Sequence, residues 1–350
     1  MSAKSILIIG AGDAQVPLIE AARHEGYRAV VCDWDGAAPG AALADDFRRV
    51  STKDGDGLLR VAIERRVDGV AAKSEYAMCD VARIAHCLGL VGNPVEAIAT
   101  LSSKARFREL QRRAELFAPR FVCGDGPLRL VEEAMFELAF PVVVKPDQCS
   151  GSRGTTVVHD PGDRIALERA ISACARLSRN GHAVVEEHVP MASRATIEGE
   201  VFVHGGDVLW DGLFLTVRCG HAPAIPATYV FPLEGEERVV DAVKDALRAA
   251  LGAAGVLHGE YNVEAYVTES GEPFIIEINP RQGGNDLRGT CGSIVAWTSP
   301  GCSLLSMPAT HAGLSLAWLI ADATLTRRRR SGLCVLSVAW LSMAHVSTSK

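Results

Sequence analysis

Several absences narrow the function of this 350-residue chain before any motif is read. Its ten cysteines are scattered and include no Cys-x-x-Cys pair and no zinc-like Cys/His spacing. They read as small core residues in a reducing cytosol, not as a disulfide framework. No strong charge of one sign is present: 36 basic and 42 acidic residues leave −6. That balance implies neither a nucleic-acid footprint nor a polyanionic tail. Near the start, one lysine precedes only Ile6, Leu7, Ile8 and Ile9, too short for a signal-peptide core. The longer apolar stretches, 313–325 and 333–346, fall short of the ~20 residues a helical membrane span needs. No internal repeat is evident. The expectation is a cytoplasmic protein of two or three domains.

The most informative stretch runs from Gly259 to Asp286, GEYNVEAYVTESGEPFIIEINPRQGGND. It reads as two strands joined by a tight turn at Ser270-Gly271. With those two as the turn residues, Glu264 lies opposite Glu277 and Asn262 opposite Asn279. Alternation then puts Glu264, Glu277, Asn279 and Arg281 on one face. Val263, Ala265, Val267, Phe274, Ile276 and Ile278 share the other face, as core. Opposed carboxylates have Cβ atoms about 5 Å apart and repel unless a cation or a proton intervenes. Two carboxylates and an amide oxygen form a hard donor set suited to Mg²⁺ or Mn²⁺. Arg281 could clamp a phosphate or carboxylate. A solvated face of an exposed hairpin is the competing reading, and these residues alone leave both open.

Upstream, residues 1–92 alternate apolar strands (5–9, 28–32, 47–51, 69–72) with helical patterns (15–24, 57–66, 76–88). This βαβ pattern predicts a parallel sheet with helices on both faces. Gly10-Ala11-Gly12 suggests a dinucleotide fingerprint with Asp33 about 20 residues on, but Gln15 stands where the third glycine belongs. Residues 93–120 form a helical connector, with Ser102 or Ser103 capping the helix SKARFRELQRRA. Lys104 in its first turn opposes the helix dipole unless an anion is near, although a solvated lysine is the common case. A strand follows, ending in Lys145. After it comes the small-residue loop Cys149-Ser150-Gly151-Ser152-Arg153-Gly154-Thr155, which lets backbone N–H groups approach phosphates. It is not a P-loop, because no Gly-Lys-Ser/Thr closes it. Residues 165–178 read as a helix and 183–190 as a strand containing His188. Residues 197–214 read as a hairpin, 216–228 as a loop with Arg218 and His221, and 235–254 as a helix.

In this order the elements resemble the ATP-grasp ligases, especially the branch of biotin carboxylase and the carbamoyl-phosphate synthase large chain. The resemblance rests on Glu277-Ile278-Asn279-Pro280-Arg281, Lys104, Lys145 with its loop, Glu186-Glu187-His188-Val189, and Pro39-Gly40 with Asp45-Asp46. It covers about residues 5–288. It implies an α/β and α+β architecture: a Rossmann-like N-terminal parallel sheet (1–92), a connector (93–120), and ATP-grasp central and C-terminal lobes with antiparallel sheets (121–288). It also implies ATP and Mg²⁺ (or Mn²⁺) as cofactors. Glu264, Glu277 and Asn279 would be metal ligands. Lys104, Lys145, Ser150, Gly151, Ser152 and Gly154 would contact phosphates. Glu186 would sit near the adenine, with backbone roles for Glu187 and Val189. Arg281 would stabilise the transferred phosphoryl group.

The activity implied is a carboxylate–amine ligase acting through an acyl phosphate on small-molecule substrates, with Gly283-Gly284-Asn285-Asp286 resembling the stand-alone amino-acid and peptide ligases. Neither nucleic acid nor membrane is an expected partner, and self-association stays open. The alternatives are a biotin-carboxylase-like carboxylase, a nicotinamide oxidoreductase using Gly10 to Gly12, and a non-catalytic ATP-binding relative. After Arg288 the composition breaks: residues 289–350 hold Asp322 as their one acidic residue, and a four-arginine run from Arg327 to Arg330. This tail is expected to be poorly ordered. A shifted reading frame, a divergent tail and a membrane hairpin are its three readings.

Overall fold

The structure is a computed structural model describing residues 3–193, 195–219, 222–230 and 237–283. The first sheet contains β1 (Ser5–Ile9), β2 (Arg28–Asp33), β3 (Asp46–Arg49) and β4 (Gly69–Ala72), all parallel in the order β3-β2-β1-β4. β1 is buried along its whole length because both faces are covered. Ile6 and Ile8 pack against Leu18 and Ile19 of α1 (Val16–His24). Leu7 and Ile9 pack on the other side against Leu58 of α2 (Gly55–Arg65) and Ile84 of α3 (Met78–Leu88). Helices therefore flank both faces, as the βαβ pattern predicts.

Two connector helices follow, α4 (Val95–Leu101) and α5 (Lys104–Arg113). Next come β5 (Phe121–Gly124), α6 (Pro127–Glu137), β6 (Val142–Pro146), β7 (Thr156–Val158), α7 (Arg164–Leu177) and β8 (Ala183–Glu187). Their antiparallel sheet runs β5-β8-β6-β7. Leu130 and Val131 of α6 and Leu167 and Ile171 of α7 cover one of its faces. The largest sheet is built from β9 (Ala195–His204), β10 (Asp207–Cys219), β11 (Ala222–Val230), β12 (His258–Val267) and β13 (Pro273–Asn279), in the order β11-β10-β9-β12-β13. Val243, Leu247 and Leu251 of α8 (Glu237–Ala254) fill its core together with Phe107 and Leu110 of α5. Helix α5 thus spans both antiparallel sheets. Among the described residues, no helix is long and apolar enough to cross a membrane.

Three details differ from the sequence expectations. Residues 216–228 are not a loop: they belong to β10 and β11, which pair with register shifts at Arg218. Pro223 and Pro226 argue against a strand, but β11 is an edge strand, where a missing N–H is tolerated. The hairpin turn is one residue longer than expected. Thr268 N–H donates to Glu272 O at 2.9 Å, enclosing Glu269, Ser270 and Gly271, with Gly271 at φ +88°. A β-bulge then compensates: Ala265 pairs with Ile275 but Glu264 with Glu277, so Ile276 is the extra residue. In consequence Ile275, not Ile276, joins the core with Val263, Ala265 and Ile278. Phe274 packs instead edge-on against Tyr266 and Phe117. His188 lies one residue past β8 and not within it. The expectations for His221, the Arg218 side chain, Gly284, Asn285, Asp286 and the 289–350 tail lie outside the described residues.

Among the described glycines, Gly199 on β9 makes the tightest backbone approach. Its φ is +153°, and a Cβ there would sit 2.1 Å from Gly212 O. Gly199→Ala is expected to cost about 1–3 kcal/mol of unfolding free energy, read as a lower denaturant midpoint at unchanged m-value.

Candidate functional site

Three neighbouring strands of the large sheet, β9, β12 and β13, bring two rows of polar side chains to one face. Register pairs Glu198 with Glu264 and Glu264 with Glu277; the next row pairs Glu200 with Asn262 and Asn262 with Asn279. Glu198 and Glu200 were not singled out from the sequence, although alternation in Ala195–His204 would have placed both on one face. Glu198 is buried and accepts from Thr196 Oγ1 at 2.7 Å. Glu200 Oε1 accepts from Gly283 N at 2.8 Å. Asn279 donates Nδ2 to Glu277 Oε1 at 2.8 Å, leaving its own oxygen as an acceptor. Burial pushes the Glu277 carboxyl up, but Lys104, the Asn279 hydrogen bond, Arg281 and Lys145 outweigh it and hold the pKa below the ordinary value.

Lys104 joins two parts of the site. Its Nζ lies 3.0 Å from the Cys149 carbonyl, where the small-residue loop begins, and 3.7 Å from Glu277 Oε2. The anion that its place in the first turn of α5 calls for is Asp147. This buried carboxylate accepts from Ser103 Oγ at 2.9 Å, Ala105 N at 2.8 Å and Asn180 Nδ2 at 2.7 Å. Ser103 caps the helix by accepting from Arg106 N at 3.3 Å. A negative charge at the N-terminus offsets the cation beside it.

Lys145, at the end of β6, forms an ion pair with Glu186 Oε1 on β8. Glu186 Oε2 accepts from Arg108 Nε at 3.0 Å. Burial pushes the Glu186 carboxyl up, but Arg108 and Lys145 overcome it and bring the pKa down to about 2. The acid expected near an adenine therefore spends both oxygens on internal cations and orients Lys145. Tyr266 OH donates to the Val189 carbonyl at 2.8 Å, so the backbone role expected of Val189 would fall to its N–H. Glu187 faces away from this cluster, accepting from Ala139 N at 2.8 Å.

Ser150, Gly151, Ser152 and Gly154 lie between β6 and β7, with φ of +75°, +52° and +79° at Gly151, Ser152 and Gly154. Such left-handed backbone favours glycine and turns successive N–H groups toward one side. Arg153 of this loop donates Nη2 to Tyr76 OH at 2.8 Å. Next to Tyr76, Glu75 Oε2 lies 3.4 Å from Arg281 Nη2. One turn before α3 thus touches both the loop and the arginine that follows β13. Arg281 also lines a cavity of about 150 Å³ with Lys73, His204 and His258, walled by Leu18, Ile98 and other apolar side chains.

No family model matches the chain. An uncharacterized protein, y4rH, of Sinorhizobium fredii is 26% identical over 275 residues, which is 76% of this chain and 55% of that one. The chain spans between about a third and just over half of the curated relatives it matches first. Among solved structures, the biotin carboxylase domain of Hydrogenobacter thermophilus 2-oxoglutarate carboxylase, in complex with MgADP, ADP and bicarbonate, superposes with a TM-score of 0.70. It is 19% identical, with 94% of this chain and 71% of that one covered. The L-amino acid ligase of Bacillus licheniformis gives 0.65 at 22% identity, over 81% of this chain and 68% of that one. The fold is that of the ATP-grasp ligases.

The N-terminal sheet of this ATP-grasp fold shows why its glycine turn is a poor dinucleotide site. Asp33 is 8% exposed and accepts from Ala11 N at 2.7 Å and Asp35 N at 3.0 Å. It braces the turn instead of facing a ribose. Gly40 N donates to Ala11 O at 2.7 Å, closing the turn from outside.

Among the described residues, no group of three or more His, Cys, Asp or Glu converges as a metal site. The set that fits a divalent cation is smaller: Glu264 opposite Glu277, with the free oxygen of Asn279 beside them. Two carboxylates, one kept ionised by its neighbours, and an amide oxygen suit a hard cation that retains waters.

Two outcomes follow from these contacts. Asp147→Ala strands several donors at once and is expected to cost about 2–4 kcal/mol of stability by chemical denaturation. Glu186, depressed in the fold to about 2, stabilises the protein fully above its unfolded pKa, about 4.3. That contribution is lost as pH falls toward 2. Glu186→Gln should therefore be less stable at pH 7, and its stability should change less between pH 5 and pH 2 than that of the parent protein.

Proposed function

We propose that the chain is an ATP-dependent carboxylate–amine ligase. The observation that carries this reading is the position of Lys104, between the start of the small-residue loop and Glu277, which itself opposes Glu264. A phosphate-binding loop, a cation and a pair of carboxylates meet at one place. The ADP and MgADP bound in the biotin carboxylase neighbour support a nucleotide there.

In the proposed reaction a substrate carboxylate oxygen attacks the γ-phosphorus of ATP, and the bond to the β-phosphate bridging oxygen breaks. An acyl phosphate and ADP result. An amine then attacks the acyl carbon, and phosphate and a proton leave. The residues act by positioning and charge neutralisation, and no covalent nucleophile is needed. Loop N–H groups of Ser150, Gly151, Ser152 and Gly154, with Lys104 and Lys145, hold the phosphates. Glu186 fixes Lys145, and the backbone of Glu187 and Val189 faces the base. Glu264, Glu277 and Asn279 would hold Mg²⁺, which when bound supplies charge neutralisation to the transferring phosphoryl group. Arg281 faces the acyl phosphate, and the cavity it lines takes the carboxylate substrate.

Amino acids are the favoured substrates, because an L-amino acid ligase shares the fold and because a Gly-Gly-Asn-Asp run follows Gln282. The biotin carboxylase neighbour keeps a carboxylase reading in view. ADP release from ATP and Mg²⁺ separates the two: acceleration by a pair of amino acids supports the ligase, and acceleration by bicarbonate alone supports the carboxylase. If neither accelerates release, the ligase assignment fails. Glu277→Gln should lower metal-dependent turnover by about 10²-fold or more, with an unchanged circular dichroism spectrum. Full activity in that variant would remove the metal role.

A further inference from the structure

Arg108 looks in the sequence like one more charge on an exposed helix, yet among the described residues it is the largest side chain wholly enclosed by the protein. A guanidinium keeps its charge at any accessible pH, so enclosure requires partners. Nε donates to Glu186 at 3.0 Å, and Nη1 to Gln111 Oε1 at 2.8 Å and Ile275 O at 3.4 Å. Its guanidinium carbon lies 4.9 Å from the Phe274 ring centroid. Gln111, one turn along α5, donates Nε2 to the same Ile275 carbonyl at 2.9 Å.

Two side chains of one helix thus converge on a single carbonyl of an edge strand. The location is decisive, because the register of β13 shifts between the pairs Ala265↔Ile275 and Glu264↔Glu277. Without the bulge, β13 would continue one residue out of step, and Glu277 would turn to the opposite face. The other arm of Arg108 holds Glu186, which holds Lys145.

We propose that Arg108 and Gln111 are positioning residues that couple the two halves of the site. The pair that orients Glu186 and Lys145 also pins the bulge that keeps Glu277 facing Glu264, so nucleotide and divalent cation bind cooperatively. This rests on the nucleotide-and-cation reading given above.

The test uses the full chain, with ADP and Mn²⁺ as probes and calorimetry as readout. The quantity compared is the ratio of the ADP Kd without metal to that with saturating Mn²⁺, a coupling factor between two ligands. In Gln111→Met, which leaves the Arg108–Glu186 pair intact, this ratio should fall at least about fivefold toward one, while metal-free ADP binding changes less than about threefold. Arg108→Lys, which keeps a cation near Glu186 but not the fork that reaches Ile275, should lose the coupling too. Leu130→Ala, in the separate core beneath α6, is the control: it lowers thermal stability but keeps the ratio. An unchanged ratio in Gln111→Met overturns the proposal, as does an equal fall in Leu130→Ala. An unfolded Gln111→Met also overturns it, since loss of one neutral amide's hydrogen bonds should leave the fold standing. A parent protein that binds ADP without help from Mn²⁺ refutes the coupling alone; one that binds no nucleotide refutes the reading beneath it.

Discussion

A carboxylate withdrawn from water needs a cation or hydrogen-bond donors, and at Glu186 and Glu277 it is cations that organise this site. Burial pushes the carboxyls of Glu186 and Glu277 up, and neighbouring cations more than reverse that push. Their cations come from separate elements: Arg108 and Lys104 from α5, and Lys145 from β6. Charge neutralisation therefore forces a helix and strands of two sheets to meet. An apolar core of similar volume could hold the same elements at no loss of stability. What ionic contacts add is orientation, because they aim Lys104 at Glu277 and Lys145 at Glu186.

The same logic extends to the start of α5. A lysine in a first turn is unfavourable on its own, and Asp147 reverses the sign of the local field. Asp147 directly follows Pro146, the end of β6 that carries Lys145, so the residue that stabilises the position of Lys104 lies two residues from the other lysine. The loop after it starts at Cys149, whose carbonyl takes Lys104. A short stretch of chain thereby sets two cations and the loop between them.

Much of this was legible as alternation and spacing, and the exceptions have physical causes. The face carrying Glu264, Glu277 and Asn279 follows from period-two patterning, but the expected register survives only because two departures cancel. The turn encloses three residues instead of two, and Ile276 bulges to restore the step. Past the bulge the reading fails, with Ile275 and Phe274 on faces opposite to those expected. Nothing local in Phe-Ile-Ile distinguishes the three apolar residues, and the pin that selects the bulge comes from Arg108 and Gln111, more than 160 positions away. Arg108 itself was hidden because its helix is dense in charge, so only tertiary contact reveals which charge points inward. Pro223 and Pro226 hid β11 because a proline's cost depends on whether a strand is central or at an edge, which no single segment encodes.

Arg281 shows the opposite design. Its contacts to Glu75, Asn262 and the Gln282 carbonyl span 3.1 to 3.4 Å, longer than the 2.7–2.9 Å of a strong charge-assisted bond. Where Arg108 is wholly buried, Arg281 lies beside a cavity. In the proposed ligase an acyl phosphate offers it a doubly charged, bidentate partner, better matched than any it now has. Glu75 belongs to the turn that also carries Tyr76, which Arg153 of the small-residue loop holds. The two arginines thus differ in setting: Arg108 bridges two sheets inside the protein, whereas Arg281 lines a cavity beside the turn that reaches the small-residue loop.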